Sequence, residues 1–364
     1  MKPDNTLRTP QASEGVYLAE ACRHRRLLRM LEDHFTSWGY QPVLTPVFDY
    51  FETYRALLDT AQVERSYRFT DREGELLMLR SDITLFLARQ MGMALPADTE
   101  PQRLYYADSI IRHQEEEDIS SDEFFQAGAE LIGLSGREAD LEVLLLLYSL
   151  LTPMALPAWR MHIGSKRLLD ALGEGRTDAS AIGKLASLRD KDALVDSFTQ
   201  VRLTAAEERA RLLLFIGTLH ELTELTEQLA PALNPLGEVN AALKETSALI
   251  QNLSAIVPPE RIRIDLSEHG GQPYYTGFTV SVYVEGASAA VVSGGRYDQL
   301  LKHFGSHLPA AGFSLLTRKI EPLSGYASQF TEEARTSPAC GESFSARYKN
   351  AVERRQHGEK VTLI

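Results

Sequence analysis

The stretch Phe124-Phe-Gln126-Ala-Gly-Ala-Glu130-Leu-Ile-Gly133 reads as a strand in which two long polar side chains interrupt a run of apolar and small residues. Successive side chains on a strand point to opposite faces. Gln126 and Glu130 are four residues apart, so a carboxamide and a carboxyl group share one face. Upstream, Arg103–Arg112 is a second strand, separated from the first by the acidic run His113-Gln-Glu-Glu-Glu-Asp118-Ile-Ser-Ser-Asp122-Glu123. Tyr67–Leu79 reads as a hairpin turning at Asp71–Gly74. Helix signals run over Thr84–Met91. Nearer the start, residues 18–38 place Leu27, Leu31, Phe35 and Trp38 on one helical face, and Gly39 is a C-terminal stop. Gln41–Phe48 is β-prone but carries two prolines, which predicts an edge or broken strand.

Downstream, Ser135-Gly-Arg-Glu138 has the form of a capping box opening a buried helix to about Leu151. Trp159–Gly164 is a strand, and Ser165 is placed to cap the next helix. Residues 180–255 are helical in pattern, with breaks expected at Pro231 and Pro235. β-character returns in Arg261–Leu266, Tyr274–Val284, Ala289–Val292 and Ala310–Leu316. Strands clustered with few intervening helices predict an antiparallel-rich α+β fold. Residues 323–343 read as linker, Phe344–Arg355 as a helix stopped at Gly358, and Lys360–Ile364 as a short strand.

Composition narrows the function classes. The chain has 364 residues, 44% apolar and 24% charged, which excludes whole-chain disorder. Its net charge of −12 disfavours non-specific binding to nucleic acid or anionic membrane. Cys22 and Cys340 are too far apart for a CxxC motif and too few for a thiolate zinc site. The start is polar, and no apolar run is long enough to span a bilayer, so the expectation is a cytoplasmic protein. P-loop, H-E-x-x-H and G-x-S-x-G motifs are absent, and the histidines lack metal-ligand spacing, so neither cofactor nor metal is expected. Gly173-Glu-Gly175-Arg follows a helical stretch and reads as a surface turn.

Four separated segments carry the functional signal: Leu79-Arg-Ser-Asp-Ile-Thr84, Ile111-Arg112, Phe124–Glu130, and Tyr274-Tyr-Thr-Gly277 with Ser293-Gly-Gly-Arg-Tyr-Asp298. Their order and spacing over about residues 14–322 resemble the catalytic domain of class II histidyl-tRNA synthetases, and that resemblance, with the strand clustering, implies an antiparallel sheet of six or seven strands flanked by helices. The resemblance places Asp82 and Thr84 where that family has a glutamate and threonine before a helix. It places Arg112 at the motif 2 arginine, Gln126 and Glu130 at residues that contact the amino acid, and Tyr274 and Tyr275 at the paired tyrosines of the histidine-specific motif. Gly294–Asp298 and Gly312-Phe313 match the approach to motif 3. Carboxylates accept from ammonium or ring N–H, and phenols can donate or accept. Asp82, Thr84, Arg112, Gln126, Glu130, Tyr274 and Tyr275 are therefore the candidate pocket for one free histidine, with Arg112 pairing its carboxylate.

The chain also departs from a synthetase. Activating an amino acid with ATP needs cations around the phosphates. Six carboxylates of the His113–Glu123 run stand where the family has basic residues. The family's arginine before the tyrosine pair falls at Gly270 or a neighbour, and motif 3 continues as Leu316-Thr-Arg-Lys319. About 40 residues follow Pro322, too few for an anticodon-binding domain. A kept amino-acid pocket with lost ATP cations resembles the ATP phosphoribosyltransferase regulatory subunits, a paralogous family. That resemblance implies no catalysis, histidine sensing, and assembly with a short-form catalytic subunit in a hetero-octamer built on a homodimer core, without tRNA or membrane. The resemblance to motif 1 at Trp38–Phe48 supplies the dimer. The implied organisation is residues 1–322 as the synthetase-like body, about 165–258 as helical elaboration, and 323–364 as linker plus a terminal helix and strand. The alternatives are a divergent or truncated histidyl-tRNA synthetase-like enzyme, or a class II paralogue that activates an amino acid for another acceptor.

Overall fold

The structure is a computed structural model, and it describes residues 15–96, 98–113, 122–270, 272–328, 337–341 and 343–363. The strands are β1 (Gln41–Pro42), β2 (Phe48–Tyr50), β3 (Arg68–Thr70), β4 (Leu76–Leu79), β5 (Gln102–Ile111), β6 (Glu123–Ile132), β7 (Arg160–Ser165), β8 (Ile216–Gly217), β9 (Ile262–Asp265), β10 (Phe278–Tyr283), β11 (Val292–Arg296), β12 (Ala310–Leu316), β13 (Ser337–Pro338) and β14 (Val361–Thr362). The helices are α1 (Leu18–Ser37), α2 (Phe51–Tyr54), α3 (Thr60–Arg65), α4 (Ile83–Ala94), α5 (Arg137–Leu151), α6 (Lys166–Gly173), α7 (Ala179–Ser187), α8 (Lys191–Gln200), α9 (Ala206–Leu213), α10 (Leu219–Leu233), α11 (Gly237–Ser254), α12 (Leu300–His303), α13 (Thr317–Ile320), α14 (Gly325–Ser328) and α15 (Phe344–Gln356).

Nine strands form the main sheet in the order β1-β5-β6-β12-β11-β10-β7-β9-β8. The central six, β5 to β7, are antiparallel throughout. The expected antiparallel sheet is thus the middle of a wider, mixed one. At one edge β1 adds parallel to β5, and at the other β9 adds parallel to β7 and carries β8. β1 and β8 hold two residues each, too few to print an alternating pattern on the sequence. A second sheet, β2-β4-β3, contains the expected hairpin at 67–79.

The sheet sorts its side chains by parity. On β6, Ala127, Ala129 and Leu131 join a core with α1, α5 and the α6–α11 layer. Phe124 and Ile132 join a different core with α4, Tyr106, Tyr274, Tyr275 and Tyr297. Gln126 and Glu130 share parity with this second set, so they face α4. The neighbouring strands agree. Phe313 and Leu315 of β12, Val292 of β11, and Phe278, Val280 and Val282 of β10 all point to the α5 side. The α4 face of the sheet is left with small and polar residues between its aromatics, and there the candidate site lies.

Three local expectations are corrected. The capping box at Ser135–Glu138 does not form. Gly136 is the N-cap, with φ near +88°, and no side chain caps the helix. That backbone angle suits glycine and puts Ser135 one residue too early to reach the first turn. Pro231 does not break the 180–255 region but sits inside the last turn of α10, which ends at Leu233. A proline there removes only one ladder bond close to where the helix stops anyway. Tyr274 and Tyr275 precede their strand, which starts at Phe278, and the next strand begins at Val292 instead of Ala289. Gln41–Phe48 does behave as a broken edge, with Gln41–Pro42 pairing β5 of the main sheet and Phe48 opening β2 of the second. The guanidinium of Arg80, fully buried, holds that segment by donating to Thr45 O and Oγ1 at 2.8 and 2.9 Å and to Ser109 O.

Leu147 of α5 is fully buried in the larger core. Leu147→Ala is expected to lower unfolding stability by about 2–5 kcal/mol in urea titration, since the cavity adds to the lost transfer energy. A loss below about 1 kcal/mol would mean that α5 does not carry this core.

Candidate functional site

The start of α4 organises the site. Asp82 is its N-cap, accepting from Leu85 N–H at 3.0 Å. Gln126 Oε1 accepts from Ile83 N–H at 3.0 Å, so two of the helix's otherwise unpaired amides are satisfied from the site face. Gln126 therefore fastens α4 to β6. One residue after Ile83, Thr84 Oγ1 donates to Glu130 Oε1 at 2.7 Å.

Glu130 is 1% exposed and sits at the centre of a hydroxyl cluster. Thr84 and Tyr106, the latter at 3.3 Å, donate to Oε1, while Tyr297 donates to Oε2 through a short contact. Room for this arrangement comes from glycines on paired strands. Gly312 faces Glu130 across β12–β6, and a Cβ there would meet Glu130 Oε2 at 1.7 Å. Gly128 faces Tyr106, where a Cβ would lie 2.5 Å from the phenol oxygen. Burial pushes the Glu130 carboxyl up to about 8, even though the three hydroxyls favour its ionised form. Asp82 is also raised, by burial above all, against the pull of Leu85 N–H and Arg112. Burial and nearby carboxyl groups raise both Tyr274 and Tyr275, so these phenols keep their protons. Their rings meet edge to face at 5.2 Å, and Tyr274 meets Tyr297 at 5.8 Å.

Two neighbouring spaces result, sharing part of their lining. The inner one, lined by Asp82, Thr84, Glu130, Gln272, Tyr274, Tyr275 and Tyr297 among others, holds about 10 Å³. That is room for about one water. The outer one, of about 230 Å³, is walled by α3, Asp82, Arg112 and Gln272. Asp82 and Gln272 belong to both. Of the seven residues singled out from the sequence, Asp82, Thr84, Glu130, Tyr274 and Tyr275 meet at the inner space. Arg112 joins Asp82 in the outer one, and Gln126 lines neither. Burial lowers the Arg112 guanidinium, Asp82 opposes this, and Arg65 adds to it.

The histidyl-tRNA synthetase family model matches residues 13–320. The ATP phosphoribosyltransferase regulatory subunit of Moorella thermoacetica is 32% identical over 98% of this chain and 92% of its own length. The protein of that name from Symbiobacterium thermophilum is 34% identical over 86% of this chain and 79% of its own. The chain belongs to the ATP phosphoribosyltransferase regulatory subunit family. A Bacillus halodurans crystal structure, described as an ATP phosphoribosyltransferase regulatory subunit/histidyl-tRNA synthetase, shares the fold. It has a TM-score of 0.82 at 24% identity, over 99% of this chain and 93% of that one.

A regulatory subunit is not the catalyst of its complex, and the geometry of this member agrees with that role. Gly270, in the region where synthetases carry an arginine, has φ near +81°, and a Cβ on it would meet the Tyr275 ring at 2.5 Å. Tyr275 occupies the space that a longer side chain would need. Arg296 points to the opposite face of the sheet, held by Asp140 at 2.6 Å and Asp298 at 2.8 Å. Arg318 and Lys319 line a separate cavity of about 160 Å³ that shares no residue with the two described. The acidic run expected at His113–Glu123 lies outside the described residues from 114 to 121.

Sequence reasoning missed Tyr106, Gln272, Gln62 and Arg65 at this family member's site, and quoted Tyr297 without giving it a role. Tyr106 had a readable signal. It pairs with Gly128 on β6, and so shares the facing of Gln126 and Glu130.

An unfolded glutamate ionises near 4.5, whereas folded Glu130 holds its proton to about 8. The folded chain therefore binds the extra proton between those values. The stability tied to this group is full below pH 4.5 and is lost as pH rises toward 8. Glu130→Gln keeps a hydrogen-bonding group and removes the titration. Urea unfolding of the variant is expected to vary less with pH between 5 and 8 than that of the parent chain. Equal pH dependence would show Glu130 ionised in the folded state.

Proposed function

We propose that the chain regulates a short-form ATP phosphoribosyltransferase catalytic subunit by binding free L-histidine in the cleft between α3, α4 and the sheet. The supporting observation is the juxtaposition of Arg112 and Asp82 in one cavity of about 230 Å³, which shares Asp82 and Gln272 with the inner space beside Glu130 and the tyrosines. An amino acid offers a carboxylate and an ammonium side by side, and a guanidinium next to a carboxyl group matches that pair. Glu130 and the phenols of Tyr274 and Tyr275 then face the imidazole, each able to donate to a ring nitrogen. The inner space admits about one water, so entry of the ring involves a shift of Gln272 or the tyrosine pair.

The same reading assembles the chain as a homodimer core within a hetero-octamer, acting in the cytoplasm without charging tRNA. Residues 1–322 form its body, about 165–258 the helical elaboration, and 323–364 the linker and terminal helix-strand unit. An exposed apolar surface on and beside β2-β4-β3 supports the dimer. Leu44 is 86% and Phe48 54% exposed, with Tyr50 and Phe69 close to half. Apolar patches of this kind mark association sites, and a twofold mate uses the same patch twice.

Three measurements test this reading. Glu130→Ala or Tyr275→Ala should weaken histidine binding about tenfold or more in calorimetry, because truncating one partner of a desolvated polar contact costs about 2–5 kcal/mol. Unchanged affinity would place histidine sensing elsewhere in the complex. Histidine-dependent ATP–pyrophosphate exchange should stay at background, and a clear signal would restore the synthetase reading. Light scattering should give a dimer at micromolar concentration, reduced toward monomer by Phe48→Asp. A monomeric parent chain, alone and with the catalytic subunit, would remove the dimer core.

A further inference from the structure

The outer cavity holds two guanidinium groups, and only one of them was visible in the sequence pattern. Arg65 ends α3, a six-residue helix whose start is fixed by a capping box between Asp59 and Gln62. Gln62 and Arg65 are three residues apart on that helix and line the same cavity as Arg112. The far end of α3 is pinned to the segment that follows β5 and carries Arg112. Ser66 bridges Arg112, and His113 N–H donates to Arg65 O at 2.8 Å. The other wall is tied by Gln62 Nε2 donating to Gln272 Oε1 at 2.7 Å. The two arginines are therefore held as neighbours by backbone pairing, although the Arg65 side chain itself is exposed.

Like charges placed side by side repel unless an anion lies between them. Among the described residues, neither Arg65 nor Arg112 has an ion-pair partner within 4 Å. Two carboxyl groups share the cavity wall, and each also accepts from a helix amide. Asp59 caps α3, accepting from Gln62 N–H at 2.7 Å, and Asp82 caps α4. Among the described residues neither carboxyl group forms an ion pair with Arg65 or Arg112 within 4 Å, so a guest carboxylate meets both arginines while Asp82 stays available to its ammonium. Asp82 on the same wall makes a zwitterion a better guest than a dianionic phosphate.

We infer that Arg65 and Arg112 together clamp the α-carboxylate of the bound amino acid, so that Arg65 is a specificity-determining residue for ligands bearing that group. This rests on the histidine-binding reading above. The discriminating pair of ligands is L-histidine and histamine, which shares the imidazole and the amine but lacks the carboxylate. In calorimetry on the full chain, the parent should bind histidine more tightly than histamine. Arg65→Gln should weaken histidine about tenfold and leave histamine within about twofold. Arg65→Lys should recover part of the loss for histidine, because it restores the charge without the fork. Equal weakening of both ligands would mean that Arg65 only supports α3, and would overturn the inference, as would an unchanged histidine affinity in Arg65→Gln. Failure of the parent chain to bind either ligand would instead remove the histidine site itself, and the clamp with it. A gain in affinity for inorganic phosphate over histidine in the parent would also overturn the clamp.

Discussion

A carboxyl group sealed from water sets the terms for the α4 face of the sheet. Glu130 can be buried only if its oxygens find donors, because an unmatched polar group in the interior costs more than a matched one gains. Thr84, Tyr106 and Tyr297 supply those donors from three separate segments. Each has a further requirement. Thr84 needs α4 to start at Asp82. Tyr106 needs the empty position at Gly128, and the Glu130 side chain needs the one at Gly312. The polar cluster thus fixes the register of β5, β6 and β12 against one another as firmly as the apolar face does, since a one-residue slip would send its members to the other side.

The other face shows why the site can be small and polar without endangering the fold. Residues of opposite parity on the same strands pack against α1 and α5 in a continuous apolar core that extends into the α6–α11 layer. Arg296 marks the division. It lies one residue before Tyr297, yet its guanidinium goes to Asp140 on α5 while the phenol goes to Glu130. Alternation along a strand is enough to place adjacent residues in unrelated chemistry.

Much of this was legible in the chain before any coordinates. The β6 segment, the helix at 18–38, the hairpin at 67–79 and the terminal helix read correctly because each is long enough for its period to repeat. Gln126 and Glu130 share a face through their parity, while the other polar candidates came from the family resemblance that their order along the chain carries. Other features were hidden for physical reasons. β1 and β8 are two residues long and take their hydrogen bonds from neighbours distant in sequence. Gly136 replaced the expected cap because its backbone angle, and not a side chain, starts α5. Arg65 and Gln272 were invisible because they reach the cavity from exposed or irregular segments whose placement depends on tertiary bonds, such as Gln62 to Gln272. Arg80 looked like one more charge in a strand-to-helix link, and only the folded chain shows it gathering two carbonyls from segments far apart.

The packing of Tyr275 between Gly270 and Gly295 ties the position of the ring to two backbone positions. A Cβ at Gly270 would meet the ring at 2.5 Å, and one at Gly295 at 2.9 Å. Any residue with a Cβ at 270 would need the ring to swing aside, and the ring is also held by its contact with Tyr274. A substitution at Gly270 is therefore felt first as a displaced phenol, so one backbone position with no side chain sets where an aromatic edge lies in the site.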